Sequence, residues 1–170
     1  VYVSDYSINT IYRFDADGTN PLKILDGAVP GQELCNSPEA LMVVGDKLYW
    51  GSPGGIFRSN LDGSSPELYN SALEFPLDMQ YDHERNKIYL VNDKESYSGG
   101  FFSLNYDGSA LTENIPDIDG TALEVNTVTG KVYIAGYASA GTVMPDNGIY
   151  MSNIDGTQLS KIGEYGAKAT

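Results

Sequence analysis

The 170-residue chain is long enough for one domain with a real core, and its 41% hydrophobic residues can fill that core, which excludes a disordered or fibrous polymer. Ten Lys and Arg against twenty-three Asp and Glu leave a formal charge of −13, so the chain lacks the basic footprint of a nucleic-acid binder or of a protein drawn to anionic membranes. The longest apolar run, residues 40–44, is far short of the ~20 residues of a spanning helix, so no membrane insertion is expected, and the single Cys35 can neither close an internal disulfide nor join a zinc cluster.

Nineteen Gly and thirteen Tyr, with little that reads as helix, indicate an all-β chain with many turns. In chain order, a short strand with Tyr second, Val1-Tyr2-Val3, precedes a β-rich run at 11–14, the turn Asp15-Ala16-Asp17-Gly18-Thr19 and a return strand at 21–25. A connection over 26–37 leads to strands at 38–44, 48–50 and 56–59, the turn Asn60-Leu61-Asp62-Gly63-Ser64, and a return strand at 66–69. The pattern recurs with strands at 76–81, 88–90 and 101–104 before Asn105-Tyr106-Asp107-Gly108-Ser109, and again at 121–125, 132–134 and 149–152 before Asn153-Ile154-Asp155-Gly156-Thr157. The four turn aspartates, Asp17, Asp62, Asp107 and Asp155, fall 45, 45 and 48 residues apart.

The turns have a local cause. Asn or Asp opening a type I turn bonds back to its own backbone, and Gly closing it takes the positive φ of a G1 bulge, which joins two antiparallel strands. Each repeat thus reads as four strands, A to D in chain order. Four-stranded antiparallel units repeated every forty-odd residues are the blades of a β-propeller, a pattern that a sandwich would have no reason to copy four times. The expected segments are a partial blade over 1–27 and whole blades over 38–70, 76–115 and 120–166.

The residues Pro38, Ala40, Leu41, Tyr49, Trp50, Ile56, Arg58, Asn60, Leu61, Asp62, Gly63 and Ser64 resemble the YWTD repeat, the class B repeat of the low-density lipoprotein receptor. The likeness covers nearly the whole chain. It implies a six-bladed propeller, of which these would be about four blades, and a non-enzymatic, extracellular or secreted protein-recognition module. It also implies that the aspartate ending strand B ties blades together; here that position reads Asp5, Ser52, Asn92 and Gly136. Unpaired blade ends predict a longer chain, or a second subunit that pairs with them.

Enzymatic propellers, lactonases and lyases among them, carry a metal or histidine-centred site in the axial channel. The one histidine, His83, falls in the A–B turn, where a solvated side chain is expected. Aligning the A strands places Glu39, Asp78 and Glu124 at different levels, so they form no carboxylate ring, and no motif calls for a cofactor. The recurrent Tyr2, Tyr49, Tyr89 and Tyr133, with Trp50, suit packing between sheets better than sugar stacking.

Loop lengths single out one end of the blades. From the strand-B Tyr to strand C the steps are 9, 7, 12 and 16 residues, and the 26–37 connection adds Glu33, Leu34 and Cys35 to the same end. Asp93, Glu95, Tyr97, Tyr137, Met144 and Asp146 in these long B–C loops are the candidate partner-binding residues, and the acidic charge favours a basic protein partner.

Overall fold

The computed structural model describes residues 1–92, 99–137 and 141–164. Its fifteen strands form four antiparallel sheets, and no helix occurs among the described residues. The first compact unit, Val1–Pro76, holds a three-stranded sheet of β1 (Tyr2–Asp5), β2 (Thr10–Arg13) and β3 (Leu22–Asp26). Its second sheet orders β4 (Leu41–Val44), β5 (Lys47–Ser52), β6 (Gly55–Asn60) and β7 (Glu67–Asn70).

The second unit, Leu77–Thr170, contains a sheet of β8 (Pro76–Asp82), β9 (Lys87–Asn92), β10 (Gly100–Asn105) and β11 (Thr112–Pro116). Beside it lies a sheet of β12 (Asp119–Asn126), β13 (Lys131–Tyr137), β14 (Gly148–Asn153) and β15 (Ser160–Glu164). Every sheet follows chain order, so each is a meander built from local hairpins.

The Asp-Gly turns form as their residues dictate. Gly18, Gly63, Gly108 and Gly156 sit at φ of +81°, +83°, +84° and +84°. In each turn the Asp carboxylate accepts from the hydroxyl and the backbone N–H of the next Ser or Thr, as Asp62 does from Ser64 at 2.6 and 2.9 Å. Those bonds, the hydroxyl first, hold Asp17, Asp62, Asp107 and Asp155 below the usual carboxylate range. The lysine opening strand B closes the module: Lys47, Lys87 and Lys131 donate to Asn60, Asn105 and Asn153 at 2.6, 3.2 and 2.6 Å.

A second feature repeats without a sequence signature. Each C–D strand pair slips register once, leaving Ile24, Tyr69, Asn114 and Ile162 as the extra residue of a β-bulge. Two of the bulges receive a turn: a Cβ on Gly63 would lie 2.1 Å from the Ile24 carbonyl oxygen, and one on Gly156 would lie 2.0 Å from that of Asn114. Glycine is therefore required at both turns for its dihedral angle and for the close approach of the preceding sheet.

Apolar faces close between neighbouring sheets within each unit. In the first, Ile11, Ile24 and Leu25 pack with Leu48, Trp50 and Phe57, and Trp50 stacks on Phe57 at 6.0 Å. Within one sheet of the second, Tyr89 of β9 stacks on Phe101 of β10 at 5.9 Å, both buried. Polar side chains complete the second unit. From β8, Asp78 accepts from the Leu123 N–H at 2.8 Å and Gln80 accepts from that of Val125 at 2.7 Å. Arg85 donates to the Thr127 carbonyl and to buried Asp82, both at 2.8 Å. The inner edge of β12 is thereby satisfied by side chains in place of another strand.

Asp5, expected to tie blades together, instead accepts from the N–H and hydroxyl of Ser7 in its own turn. In the first unit the ties are Tyr2 to the Leu61 carbonyl and Ser4 to the Glu39 carbonyl, both at 3.0 Å.

Gly18→Ala and Gly63→Ala both force a side chain into positive φ, at about 1–2 kcal/mol; nothing among the described residues lies near Gly18, so Gly63→Ala is expected to cost roughly 1–3 kcal/mol more. Comparative thermal melts check this, and equal melting temperatures would remove the seated turn from the account. The depressed turn carboxylates contribute stability that is full above about pH 4 and is lost as pH falls through their folded values. Replacing Asp17, Asp62, Asp107 and Asp155 together by Asn is expected to flatten the acid limb of a plot of melting temperature against pH.

Candidate recognition face

The B–C and D–A connections leave the sheets at one end, and in both units they are pinned from beneath. In the first unit Gly27 donates to the Asn9 carbonyl and Ser37 to the Asn9 side chain, each at 2.8 Å. Trp50 Nε1 donates to the Leu34 carbonyl at 3.0 Å, and Cys35 is fully buried in the core. Glu33 turns back to accept from the Gly31 N–H at 3.0 Å. Leu34 and Cys35, grouped by the sequence with the contact loops, therefore build the platform, while Glu33 stays exposed. Burial pushes the Cys35 thiol up to about 12, so it stays neutral.

In the second unit Met144 is 1% exposed, and its sulfur occupies the space where a side chain at Gly136 would begin. Met144 is thus a plug for the loop, which corrects its placement among the contact residues: an apolar side chain is worth more filling that space than facing water. The loop is closed further by Val143 donating to the Asp117 carbonyl at 2.9 Å and by the Tyr150 hydroxyl donating to the Asp146 carbonyl at 2.6 Å. The Asp146 carboxylate is exposed and lies 3.5 Å from Lys161.

Among the residues that these anchored loops expose, several are large and apolar. Tyr6 is 63% exposed, with Ile8 and Val29 also exposed in the first unit, and Tyr137 and Val143 are each 47% exposed in the second. Of the six sequence candidates, Tyr137 and Asp146 are on this surface, Met144 is beneath it, and Asp93, Glu95 and Tyr97 lie outside the described residues. Tyr6 and Ile8 were missed because their connection is short. The available signal was two large apolar residues in a polar turn.

The opposite end carries different chemistry. His83 is exposed and sits 3.0 Å from Glu84. Arg85 is committed to Asp82 and Thr127 and is a clamp between turns. Among the inner-strand acids, burial raises the Asp78 carboxyl above its ordinary value although the Leu123 and Met79 N–H groups oppose the shift. Among the described residues, no group of three His, Cys, Asp or Glu is placed to hold a metal ion.

No protein-family model matches the chain, and no curated protein matches it. Solved structures do. A chain of a nidogen/laminin complex superimposes with a TM-score of 0.74 at 19% identity, over 96% of this chain and 61% of that one. The fold is that of a β-propeller. A gluconolactonase from Xanthomonas campestris matches with a TM-score of 0.68 at 20% identity, over 93% of this chain and 56% of that one. An oligogalacturonate lyase in complex with manganese matches at 0.59 and 10% identity, over 96% and 45%. The chain spans about six tenths of the nidogen/laminin chain and about half of the other two. At these identities the likeness extends to the fold, which serves binding proteins and enzymes alike.

The raised Cys35 value carries a sign: its contribution to stability is full below the ordinary 9.0 and is lost as pH rises toward 12. Native protein at pH 8 is expected to leave the thiol unreacted with a disulfide-exchange reagent, while denatured protein reacts with one equivalent. Rapid native labelling would place Cys35 outside the core.

Proposed function

We propose that this chain is a non-enzymatic protein-recognition module of the YWTD kind, extracellular in setting, which binds a protein through the end where the B–C and D–A loops emerge. The observation that carries this reading is made in each unit by itself: large exposed side chains, Tyr6, Ile8 and Val29 in the first and Tyr137 and Val143 in the second, stand on or beside loops held by buried anchors. Large side chains on a fixed support bury area at low entropic cost, which is how a few residues come to dominate an interface. Asp146 adds an exposed carboxylate beside Tyr137 and Val143, and a chain of charge −13 steers a basic partner. The likeness to a chain of a nidogen/laminin complex supports the same reading.

A second reading is a propeller hydrolase or lyase, favoured by the matches to a gluconolactonase and an oligogalacturonate lyase. A site in the axial channel would draw on Asp78, the inner-strand carboxyl that burial raises.

Peptides selected on the wild-type chain from a phage-displayed library provide a probe for both. Titrated against Tyr6→Ala/Tyr137→Ala, they are expected to bind at least tenfold more weakly, while His83→Ala/Val128→Ser at the opposite end binds as wild type does and both variants melt normally. Loss of binding in the second variant alone would invert the assignment of faces. Turnover of a lactone by the wild type that disappears in Asp78→Asn would favour the enzyme.

A further inference from the structure

The two units seat a turn on a bulge in the same way but finish the joint differently. In the first, the Gly63 turn sits on Ile24, which is 7% exposed, and Tyr2 closes the joint by donating to the Leu61 carbonyl at 3.0 Å. In the second, the Gly156 turn sits on Asn114, but Tyr89, at the place of Tyr2, makes no such bond to Ile154, the counterpart of Leu61. A solvent-connected cavity of about 350 Å³ is lined by both. Strand register gives the cause. Ser103, Thr112 and Asn114 take the positions that Arg13, Leu22 and Ile24 hold in the first unit, and each is the smaller or the more polar of its pair.

The cavity wall is rich in donors. Tyr89 is 2% exposed, and its hydroxyl has no partner among the described residues. Asn114 Oδ1 accepts from the Ser103 hydroxyl at 3.3 Å, while Asn114 Nδ2 is buried with no partner. Lys87 reaches Asn105 at 3.2 Å, where Lys47 and Lys131 make the matching bond at 2.6 Å, so its ammonium is the least engaged of the three. Arg85, also on the wall, holds Asp82 and Thr127 through Nη1 alone. Against these stands the Asp155 carboxylate, whose Oδ1 is taken by the Thr157 N–H and hydroxyl at 3.0 and 2.6 Å. An amide buried in the place of Ile24 costs stability unless something accepts from it, and the described residues supply no acceptor.

We propose that this cavity binds a small organic carboxylate. The carboxylate accepts from Asn114 Nδ2, the Tyr89 hydroxyl and the Lys87 ammonium, and its carbon body lies against Ile154. Charge-assisted bonds of this kind are stronger than neutral ones, so the carboxylate is preferred over an uncharged molecule of the same shape. Lys87 and Arg85 disfavour a cation, and the volume suits a small molecule. The site is at the A–B turn end, away from the long loops, and is independent of the recognition face.

The test is a titration of the ¹⁵N-labelled chain at low salt with acetate, succinate and benzoate, following the Asn114 side-chain amide by NMR, with benzamide as the neutral match to benzoate and inorganic phosphate as a second anion. At least one carboxylate is expected to give saturable shifts, and benzoate to bind more tightly than benzamide. Asn114→Ile, which restores the residue of the first unit, is expected to melt no lower than wild type and to bind at least about tenfold more weakly by calorimetry. Lys87→Gln is expected to weaken binding similarly and serves alone if Asn114→Ile does not fold. Asp155→Asn, which removes the opposing charge, is expected to tighten it, and Lys23→Gln in the first unit to leave it unchanged. No saturation by any carboxylate up to about 10 mM, which leaves water alone in the cavity, overturns the proposal. So does equal binding of benzamide, binding of phosphate alone, or affinity that survives both Asn114→Ile and Lys87→Gln.

Discussion

A carbonyl group at a β-bulge, and the glycine turn pressed against it, are the contact on which the packing of neighbouring sheets within each unit rests. A strand pair without a bulge would bond its outer carbonyls within the sheet and offer the neighbour a flat flank. The slip at Ile24 and at Asn114 presents one carbonyl sideways, and Gly63 and Gly156 come close enough that no Cβ fits. The angle between neighbouring sheets in each unit is thus set by a backbone contact, and side chains fill what remains. Trp50 on Phe57 and Tyr89 on Phe101 supply apolar area within that constraint.

Edge satisfaction is the second constraint, and the two units solve it with different residues. The second uses Asp78, Gln80 and Arg85, at alternating levels, to bond the backbone at Leu123, Val125 and Thr127. The first uses hydroxyls, Tyr2 to Leu61 and Ser4 to Glu39. A backbone edge accepts any donor or acceptor of the right reach, so the two units can use different chemistry at these positions. That freedom accounts for Asp5 serving its own turn while other side chains join the sheets.

At the long-loop end, the same economy separates support from display. Leu34, Cys35 and Met144 point down and hold the connections against the sheets; Tyr6, Ile8, Tyr137 and Val143 are left outward. A loop anchored by one buried plug loses little entropy when a partner covers it. The buried plug and the exposed aromatic are parts of one device, and neither residue type alone reveals which role it holds.

The turns, the fourfold repeat and the hairpin order of each sheet were legible in the sequence, because Asp-Gly turns and short β-rich runs act within a few residues and their chemistry is local. The bulges were not. Ile24, Tyr69, Asn114 and Ile162 share no side-chain property, since what matters there is a carbonyl that every residue possesses. A second left-handed residue in each turn, at Asn20, Ser65, Ala110 and Gln158, was hidden for the same reason. The long-loop end could be found by counting residues, and Tyr137 and Asp146 with it, whereas the burial of Met144 and Cys35 depends on the space beneath each loop, which is set by strand residues such as Gly136 and Trp50 once the sheets have formed. Local hydrogen bonding determined the elements from the sequence alone; which side chains are plugs and which are surface was decided only when the sheets met.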